Sequence, residues 1–464
     1  MRVVVCFFLI LTAIPLTVAG EITLQEAERY GESVRIRWPK EPPIDVTVLL
    51  RQGVRRLDGK HLTIYTDLAS SPSVDELPLV FDQMMPQLCE YFELDPQKYD
   101  SWKVEVFLVG DIEKFDKSGA LDQVPQLRNG YALRNRIWLR EQPSEYYRRH
   151  LLLHEGVHAF MGYVFGKWGP PWYREGTAEL LGTHRWQDGR LTLGYLPQNA
   201  DEVPNWRRIL IVRSGFAKNE GKPTEAVFRL APEDYDENAA YAWSWAFAAF
   251  CEHHPRYRTA FRRTARHLSR PANQLFNHFL DRLDETVAMR LEDDWTDFVA
   301  NIDFGYDFER ARIDDFSAGK PLPRDGGAVS VRADRGWQNS GFRLEKGQTY
   351  ELTAEGRFQL GRTPKIWWSE PNGITVRYHR GTPIGVLQAT LLPHPNDMMN
   401  DVGVGFATPK IIGLGEKWSV EQSGTLFFRI NDFPAELDDN DGSATVRIKP
   451  ATPSPALLGP SLSF

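Results

Sequence analysis

The sequence predicts an α+β fold, in which a mixed sheet with a helical half is followed by an all-β sandwich. Three observations support this prediction. Short apolar strands and an amphipathic helix alternate early in the chain, helical periodicity dominates residues 146–312, and short alternating runs separated by turn residues fill the chain beyond residue 328. The composition is 42% apolar and 25% charged over 464 residues, which is typical of a globular chain with two or three domains.

The first 20 residues predict a secretory signal peptide. A basic residue at position 2 precedes a continuous apolar run, Val3 to Leu11, and small residues stand before Glu21. We therefore expect cleavage after Ala19 or Gly20 and a secreted, periplasmic or cell-surface protein. The alternative is an uncleaved anchor, although the run is short for a membrane span and no later segment is apolar enough for a stable one.

Residues 21–145 predict an α/β arrangement, and the residues after them predict mainly helices. Asp75–Phe92 has helical periodicity, which we expect Pro86 to kink or interrupt. Three runs have the β-branched and apolar content of strands: Ile44–Leu50, His61–Thr66 and Lys103–Val109. Beyond residue 146, further helical pieces are expected near residues 240–252, 257–268, 272–283 and 285–300.

Residues 154–158 read His-Glu-Gly-Val-His within a proline-free apolar stretch, Tyr146 to Phe165. Positions i and i+4 share one face of a helix, so His154 and His158 can point at one metal ion. Glu155 stands beside the first histidine, where it can act as a base on a water molecule held by zinc. The alternative is a core helix with two satisfied histidines, since buried polar groups without partners are costly.

A third ligand follows a turn that is rich in Pro, Gly and Trp. Glu175 and Glu179 are again i and i+4, so a second helix can aim both carboxylates at the first helix. Spacing alone leaves either glutamate open as the third ligand. A further alternative is two solvated glutamates on a surface helix.

The HEGVH sequence, the Pro-Trp turn and the following Trp-x-x-Glu-Gly-x-Ala-Glu together resemble the gluzincin (thermolysin-like) zinc metallopeptidases over residues 148–182. The resemblance implies a gluzincin-type domain over residues 21–316 that hydrolyses peptide bonds with zinc. It implies Glu155 as general base and Glu179 as acceptor of a hydrogen bond from a ligand histidine. It implies three zinc ligands: His154, His158 and Glu175.

The same resemblance implies an edge strand that pairs with an extended substrate and a donor to the developing oxyanion. Tyr131–Leu139 is the candidate edge strand, with an ordinary internal strand as the alternative. Tyr241, near the start of an apolar helix, is the candidate donor. It has three rivals along the chain: Tyr235, His253 and His254.

The net charge bears on the possible partners of the chain, and the cysteines bear on whether it contains a disulfide. The net charge is −7 and no basic tract stands out, which argues against a nucleic-acid partner. Cys6 would leave with the signal peptide. Cys89 and Cys251 then form either one disulfide, which export permits, or two buried thiols.

Residues 317–327 predict a linker, because Gly and Pro dominate them. A sandwich is expected over residues 328–450, and the tail 451–464 is expected to be loose because it is rich in Pro and Ser. Alternating runs separated by turns predict the strands of the sandwich: Ala328–Ala333, Thr349–Ala354, Gly385–Leu391, Gly424–Ile430 and Ala444–Ile448.

Trp337-Gln-Asn-Ser-Gly341 and the Asn-Asp and Asp-Asn-x-Gly-Ser elements of residues 431–443 resemble the calcium-dependent galactophilic bacterial lectins over residues 326–450. In those lectins a neutral amide stands where this chain has Asp439, and His379 is a loose candidate for sugar contact. The alternative is that residues 438–442 are only the turn of a hairpin. The resemblance implies a calcium site made of side chains from Asp432, Asp439 and Asn440, with carbonyls from Leu360 and Glu436.

Together these patterns predict an exported zinc peptidase that acts on a peptide or protein substrate. Its sandwich would hold it on a glycan or glycoprotein and so raise the local concentration of substrate. One alternative is a carbohydrate-binding protein whose peptidase fold is catalytically idle. Another is a module in which zinc only braces the fold. Glu155 argues against both, since neither needs a base beside the metal.

Overall fold

The computed structural model describes residues 44–124, 126–393 and 404–451, and within them the chain is mixed α+β. The predicted signal peptide, residues 21–43 and almost all of the predicted tail lie outside the described residues. No helix of the described ranges is long and apolar enough to cross a bilayer.

The helices, in chain order, are α1 (Val46–Arg51), α2 (Pro72–Asp75), α3 (Leu77–Tyr91), α4 (Ile112–Asp116), α5 (Glu145–Phe165), α6 (Pro171–Gly182), α7 (Arg208–Ala217), α8 (Thr224–Phe228), α9 (Asn238–His253), α10 (Arg258–Arg263), α11 (Ala272–Leu280), α12 (Glu285–Met289), α13 (Leu291–Asn301), α14 (Phe308–Ala311) and α15 (Val404–Ala407).

The strands are β1 (Arg55–Asp58), β2 (Leu62–Thr66), β3 (Val104–Val109), β4 (Gly130–Leu133), β5 (Arg136–Arg140), β6 (His184–Gln187), β7 (Arg190–Leu193), β8 (Lys320–Pro321), β9 (Gly327–Arg332), β10 (Gln338–Leu344), β11 (Thr349–Glu355), β12 (Phe358–Gln359), β13 (Trp368–Ser369), β14 (Asn372–His379), β15 (Thr382–Leu392), β16 (Lys410–Ile411), β17 (Gly415–Ser419), β18 (Gly424–Ile430) and β19 (Ser443–Pro450).

The first sheet has the strand order β1-β2-β3-β5-β4. Its central strands β2, β3 and β5 run parallel, while β1 and β4 pair antiparallel at the two edges. Central parallel strands are buried on both faces, and β2 is buried at every residue. One face packs into the large core with α3 and α5, and the other face packs into a smaller cluster with α1 and α4. Only the first part of the candidate edge strand Tyr131–Leu139 lies at an edge: the segment is a hairpin in which β4 is the edge strand and β5 is internal, between β3 and β4.

Two of the sequence predictions in this half are wrong. Ile44–Leu50 was expected to be a strand, but residues from Val46 form α1, because the Asp45 side chain accepts hydrogen bonds from the amides of Thr47 and Val48 and caps a helix there. Pro86 does not interrupt its helix: α3 runs through it, and the break falls earlier, at Glu76, between α2 and α3.

The helical half packs around α9, which is buried along almost its whole length. The helix predicted near 257–268 is α10 followed directly by a 3-10 helix (Thr264–His267), the one near 285–300 is divided into α12 and α13, and the one near 272–283 ends at Leu280. α6 lies against α9 so closely that a Cβ at Gly176 would stand 2.7 Å from the Ser244 carbonyl oxygen. Glycine at this position therefore lets the helix that carries Glu175 and Glu179 approach its neighbour.

The sandwich consists of two facing sheets, ordered β14-β15-β18-β10-β8 and β17-β11-β19-β9, with β16 added beside β15. Their inner faces share an apolar core that includes Leu352, Leu426 and Val446. The segment 317–327, predicted as a linker, contributes β8, which pairs in parallel with β10. This segment is thus part of the sandwich's hydrogen-bonded structure.

The sandwich is joined to the helical half by a buried contact. Apolar residues from both sides form one cluster: Ile313, Phe316, Trp337, Leu392, Phe406 and Phe427. Asp297 of α13 accepts a hydrogen bond from the Trp337 indole at 3.1 Å, and Arg429 of β18 lies 3.6 Å from the same carboxylate. All three of these side chains are buried. The two parts of the chain therefore share apolar and charged contacts across their junction.

Candidate metal centre

The helix α5 holds the HEGVH sequence, and its ends are fixed by local signals. The Ser144 side chain accepts a hydrogen bond from the Tyr147 amide at its beginning. Gly166, at φ 65°, ends it in the left-handed conformation that glycine favours. Between these caps the helix is buried along most of its length, as its apolar residues predict.

The return to α6 is held by the tryptophan and prolines of the turn. The Trp168 indole donates to the carbonyl oxygen of His158 at 2.9 Å, and Pro171 stands in the first turn of α6. This hairpin brings Glu175 over the two histidines of α5.

Three potential ligand atoms converge between α5 and α6. His154 Nε2 and His158 Nε2 lie 3.1 Å apart, and Glu175 Oε2 lies 3.4 Å from the first and 3.2 Å from the second. Ligand atoms of a tetrahedral zinc at ordinary bond lengths are separated by about 3.3 Å. The residues present therefore fit the ion that the sequence implies, with one coordination position left for another molecule.

The charges of this group are strongly coupled. Burial alone lowers the pKa of His154, but its hydrogen bond to Glu175 and the nearby charge of Glu179 raise the pKa to about 9. Burial opposes ionisation of Glu175, yet His158 and His154 hold its pKa well below the usual range. The other oxygen of Glu175 accepts from Arg174 Nε at 2.7 Å. A buried carboxylate is thus kept ionised, as a metal ligand must be.

Glu179, the alternative third ligand, points away from the shared point. Arg208 Nε and Nη2 donate to its two oxygens at 3.0 and 2.9 Å. His150 Nε2 lies 3.4 Å from the carboxylate, and His154 Nδ1 lies 3.6 Å from it. The last distance is longer than a hydrogen bond, so the expected bond between Glu179 and a ligand histidine is present only as a close charge contact. A second triad, His150, His154 and Glu179, also lies close together, but Arg208 occupies both of its carboxylate oxygens.

Glu155 lies between the ligand group and the edge strand β4. It is 6% exposed, and burial raises the pKa of its carboxyl. A Cβ at Gly130 would stand 2.6 Å from Glu155 Oε1, so only a residue without a side chain fits there. A buried carboxyl with a raised pKa is suited to accept and return a proton.

Tyr241 and its rival Tyr235 both reach the cleft beside the ligands. The Tyr241 ring is 6.2 Å from the His154 ring, and the Arg208 guanidinium stands 5.6 Å from the Tyr241 ring centre. Tyr235 packs edge-on against Tyr241 at 5.0 Å, and its hydroxyl shares a 2.6 Å hydrogen bond with Ser244. Burial raises the pKa of both phenols, so both remain protonated donors at neutral pH.

The histidine rivals lie elsewhere. His253 is at the other end of α9, about 18 Å along the helix from Tyr241. Its ring packs on Phe308, and the buried His254 packs on Phe250 and Tyr257. Neither position serves as a donor at the motif.

A cleft of about 630 Å³ opens beside the candidate ligand His154. Its wall includes the edge strand at Gly130 and Tyr131, the candidate base Glu155, and the phenols of Tyr235 and Tyr241. An extended chain lying along the free edge of β4 would pass the ligand group and the candidate base together.

In the sandwich, some of the residues implied for calcium contact one another. Asn440 Nδ2 donates to Asp432 Oδ2 at 2.9 Å, while Asn440 Oδ1 is buried with no hydrogen-bond partner among the described residues. Burial raises the pKa of Asp432 to about 6. Near Leu360, Gln359 Nε2 donates to the Asp439 carbonyl oxygen at 2.6 Å, and the backbone amide of Arg362 donates to the Asp439 carboxylate at 3.2 Å.

Glu436 is the remaining residue implied for the calcium site, and contacts of its side chain fix its position. Arg377 donates to both of its carboxylate oxygens, at 2.6 and 2.9 Å, and the Glu436 carbonyl faces the Asp439 amide at 3.5 Å. The oxygens available from carboxylate, amide and carbonyl groups suit a hard cation. The buried, unpartnered Asn440 oxygen is the clearest sign of a missing contact.

Two other sequence predictions have clear outcomes. His379, the candidate for sugar contact, is buried against the helical half, where its Nε2 lies 3.0 Å from Asn301 Oδ1, so it is not at a free sugar-binding surface. Cys89 and Cys251 are both free buried thiols rather than a disulfide.

Sequence patterns did not indicate two residues beside the candidate metal centre, His150 and Arg208. His150 stands four residues before His154, on the same face of α5, and this spacing could have indicated it. Arg208 is 29 positions beyond Glu179, and no local pattern joins them. Their contact depends on the tertiary fold.

Comparisons with known proteins place few limits on these assignments. No family model matches the chain, and no curated protein matches it. Among solved structures, a chain described as "EclA N-terminal domain; PllA-like lectin" is similar over 28% of this chain and 100% of its own length. The identity is 21% and the TM-score 0.21, a similarity too small to carry an argument about function.

Proposed function

We propose that this chain is an exported zinc-dependent peptidase. The observation that carries the proposal is the convergence of His154 Nε2, His158 Nε2 and Glu175 Oε2 within 3.1–3.4 Å of one another. Two imidazoles and one carboxylate make the ligand set of a catalytic zinc, which keeps one position open. Zinc, when bound, polarises a carbonyl and makes a water molecule acidic enough to react at neutral pH.

The protein groups around this point have complementary roles. Glu155 takes the proton of the attacking water and returns it to the leaving amine, which its burial and raised pKa favour. Tyr241, with Tyr235 as the rival, donates a hydrogen bond to the oxygen of the scissile carbonyl as negative charge develops on it. The free edge of β4 pairs with the backbone of the substrate and places its scissile bond over the ligand group.

The test is hydrolysis of a peptide library and of casein by the zinc-loaded mature chain. Glu155→Gln should reduce kcat by at least about a hundredfold while zinc stays bound, because only the base is lost. Glu145→Gln is the matched control, since Glu145 is an exposed carboxylate in the first turn of the same helix. A Glu155→Gln chain as active as the wild type contradicts the mechanism, and a zinc-loaded wild type inert on all peptides contradicts the function.

We propose in addition that the sandwich binds calcium and, through it, a sugar hydroxyl pair. The buried, unpartnered Asn440 oxygen beside Asp432 supports this role. The test is retention of the full chain on immobilised galactose with calcium and with chelator, and Asp432→Ala should abolish retention. Calcium-dependent retention together with no peptide cleavage would instead favour a carbohydrate-binding protein with an idle peptidase fold. Retention that is the same with calcium and with chelator contradicts calcium-dependent sugar binding.

A further inference from the structure

A second chamber continues from the metal cleft along the helix α7. It has a volume of about 900 Å³ and shares four wall residues with the metal cleft: Asn129, Tyr147, Arg208 and Asn238. Asn129 directly precedes β4, whose free edge is the proposed position of the substrate backbone. A chain that leaves the metal cleft along β4 therefore has an open path into this chamber.

One face of α7 forms a wall of the chamber. Ile211 and Ser214 lie three residues apart on one side of the helix, and Arg207 directly before it and Lys218 directly after it extend this stripe along the same chamber. Arg207 and Lys218 stand at the two ends of that stripe, about 16 Å apart along the helix axis. An extended peptide covers this distance with about five residues.

The rim of the chamber is basic although the whole chain carries a net charge of −7. Arg207, Lys218 and Lys222 line it, with Glu220 as the one carboxylate among its described wall residues. Arg208 lines it too, but its charge is matched by Glu179. No ion-pair partner of the three rim cations is found in the described ranges 44–124, 126–393 and 404–451. Their positive charge is thus available to a ligand.

The backbone at the mouth of the chamber is held in an uncommon conformation. Asn205 at φ 71° and Arg207 at φ 58° are both in the left-handed region without being glycine. Such residues cluster at binding and catalytic sites, where the surrounding structure enforces them. Here the flanking Trp206 is fully buried against Trp245, which fixes the strained turn that presents Arg207.

We infer that this chamber is a specificity subsite that selects peptide substrates carrying acidic side chains several residues from the scissile bond. The inference rests on the proposed function and names its substrate class. Carboxylates about five residues apart would meet Arg207 at one end of α7 and Lys218 at the other, with Lys222 beside them. Neutral peptides would still reach the metal cleft but would lack these contacts.

The test measures binding, so that it stands apart from catalysis. Two fluorescent peptide pools share a randomised sequence and differ only in carrying Glu or Gln at two positions about five residues apart. The zinc-loaded Glu155→Gln chain should bind the Glu pool about tenfold more tightly at low salt, and the difference should shrink as salt rises. Arg207→Gln combined with Lys218→Gln and Lys222→Gln should remove the preference and leave binding of the Gln pool unchanged.

The matched control replaces three exposed sandwich lysines, Lys346, Lys417 and Lys449, by glutamine and should keep the preference. The inference is overturned if the chain with an unaltered rim binds the two pools equally. It is also overturned if the preference for the Glu pool survives the three rim substitutions. Tight binding of a sulfated polysaccharide with no discrimination between the pools overturns it too. Each of these results leaves the peptidase proposal standing, whereas failure of the wild type to cleave any peptide would contradict that proposal alone.

Discussion

Arg208 donates hydrogen bonds from Nε and Nη2 to the two carboxylate oxygens of Glu179, at 3.0 and 2.9 Å, and all of these atoms are buried. The same guanidinium stands 5.6 Å from the ring centre of Tyr241. One cation therefore links the carboxylate beside His154 to the candidate oxyanion donor. A two-pronged bond of this kind needs the planar fork of arginine, which lysine lacks.

Arg208→Met should weaken zinc binding about 10- to 100-fold, because Glu179 would lose the partner that fixes it beside His154. It should also lower the free energy of unfolding by about 3–5 kcal/mol, since a buried carboxylate would be left without its cation. Arg208→Lys should have a zinc affinity and a free energy of unfolding between those of the wild type and those of Arg208→Met. Chelator competition and thermal unfolding measure these effects, and a folded Arg208→Met chain with unchanged zinc affinity would refute this role.

Gly130→Ala should lower kcat/KM by about tenfold or more without changing zinc content, because the added Cβ would stand 2.6 Å from Glu155 Oε1 and displace the base. Zinc analysis separates this effect from loss of the metal, and the melting temperature separates it from misfolding. Full activity in a folded, zinc-loaded Gly130→Ala chain would show that Glu155 is not held against β4 during catalysis.

The carboxyl of Asp294 gives a pH dependence of stability. Burial raises its pKa to about 7, against the attraction of Arg256, while the ordinary value is 3.8. The folded chain therefore binds a proton more tightly than the unfolded chain, so this group makes the protein more stable at low pH and less stable as pH rises from about 4 to 7.

On this basis, raising the pH from about 5 to 7 should lower the free energy of unfolding of the wild type by on the order of 2 kcal/mol. Asp294→Asn should show no such loss, because the asparagine does not titrate. Urea unfolding of both chains at the two pH values measures the difference. The asparagine still accepts the hydrogen bond that Tyr257 makes at 2.6 Å in the wild type. Parallel pH profiles for the two chains would contradict the shift.

Removing one partner of the charged contact across the domain junction should destabilise the protein strongly. Arg429→Met leaves the buried Asp297 without its nearest cation and should cost about 3–5 kcal/mol. Arg447→Met removes an exposed ion pair with Glu355 and should cost less than about 1 kcal/mol. Denaturant unfolding compares the two, and equal small effects would mean that the junction does not depend on this pair.

Calcium should raise the melting temperature of the full chain, because it binds the folded sandwich and not the unfolded chain. Asp432→Ala should remove most of this rise because it removes a ligand oxygen, and Asp439→Asn should keep it, since an amide oxygen is also a calcium ligand. Differential scanning calorimetry with calcium and with chelator gives the answer. An unchanged melting temperature at millimolar calcium would rule out the site.

Local patterns in the sequence were sufficient for the helix pair of the metal centre and for most of the sandwich. The i, i+4 spacing of His154 and His158 required a helix, and the structure has α5 there. The spacing left Glu175 and Glu179 equivalent, and the tertiary contacts separate them: Glu175 faces Nε2 of both His154 and His158. The role of Glu179 is decided by Arg208 and His150, which its own sequence neighbourhood does not contain.

Other predictions failed because a side-chain contact that the pattern does not encode, local in one case and distant in the other, outweighed the pattern. Apolar residues after Ile44 resemble a strand, but the side chain of Asp45 caps a helix. His379 has no sequence signal of its burial, which arises from contact with Asn301, 78 positions earlier in the chain. Contacts between distant segments of the chain are what the sequence patterns could not supply.

The central claim is tested most directly by zinc analysis of the purified chain beside ligand variants. We expect one zinc per wild-type chain and one per Glu155→Gln chain, but far less than one in folded His158→Ala and Glu175→Ala chains. Absence of zinc from the wild type after exposure to it, or one tightly held zinc in both ligand variants, would contradict the account.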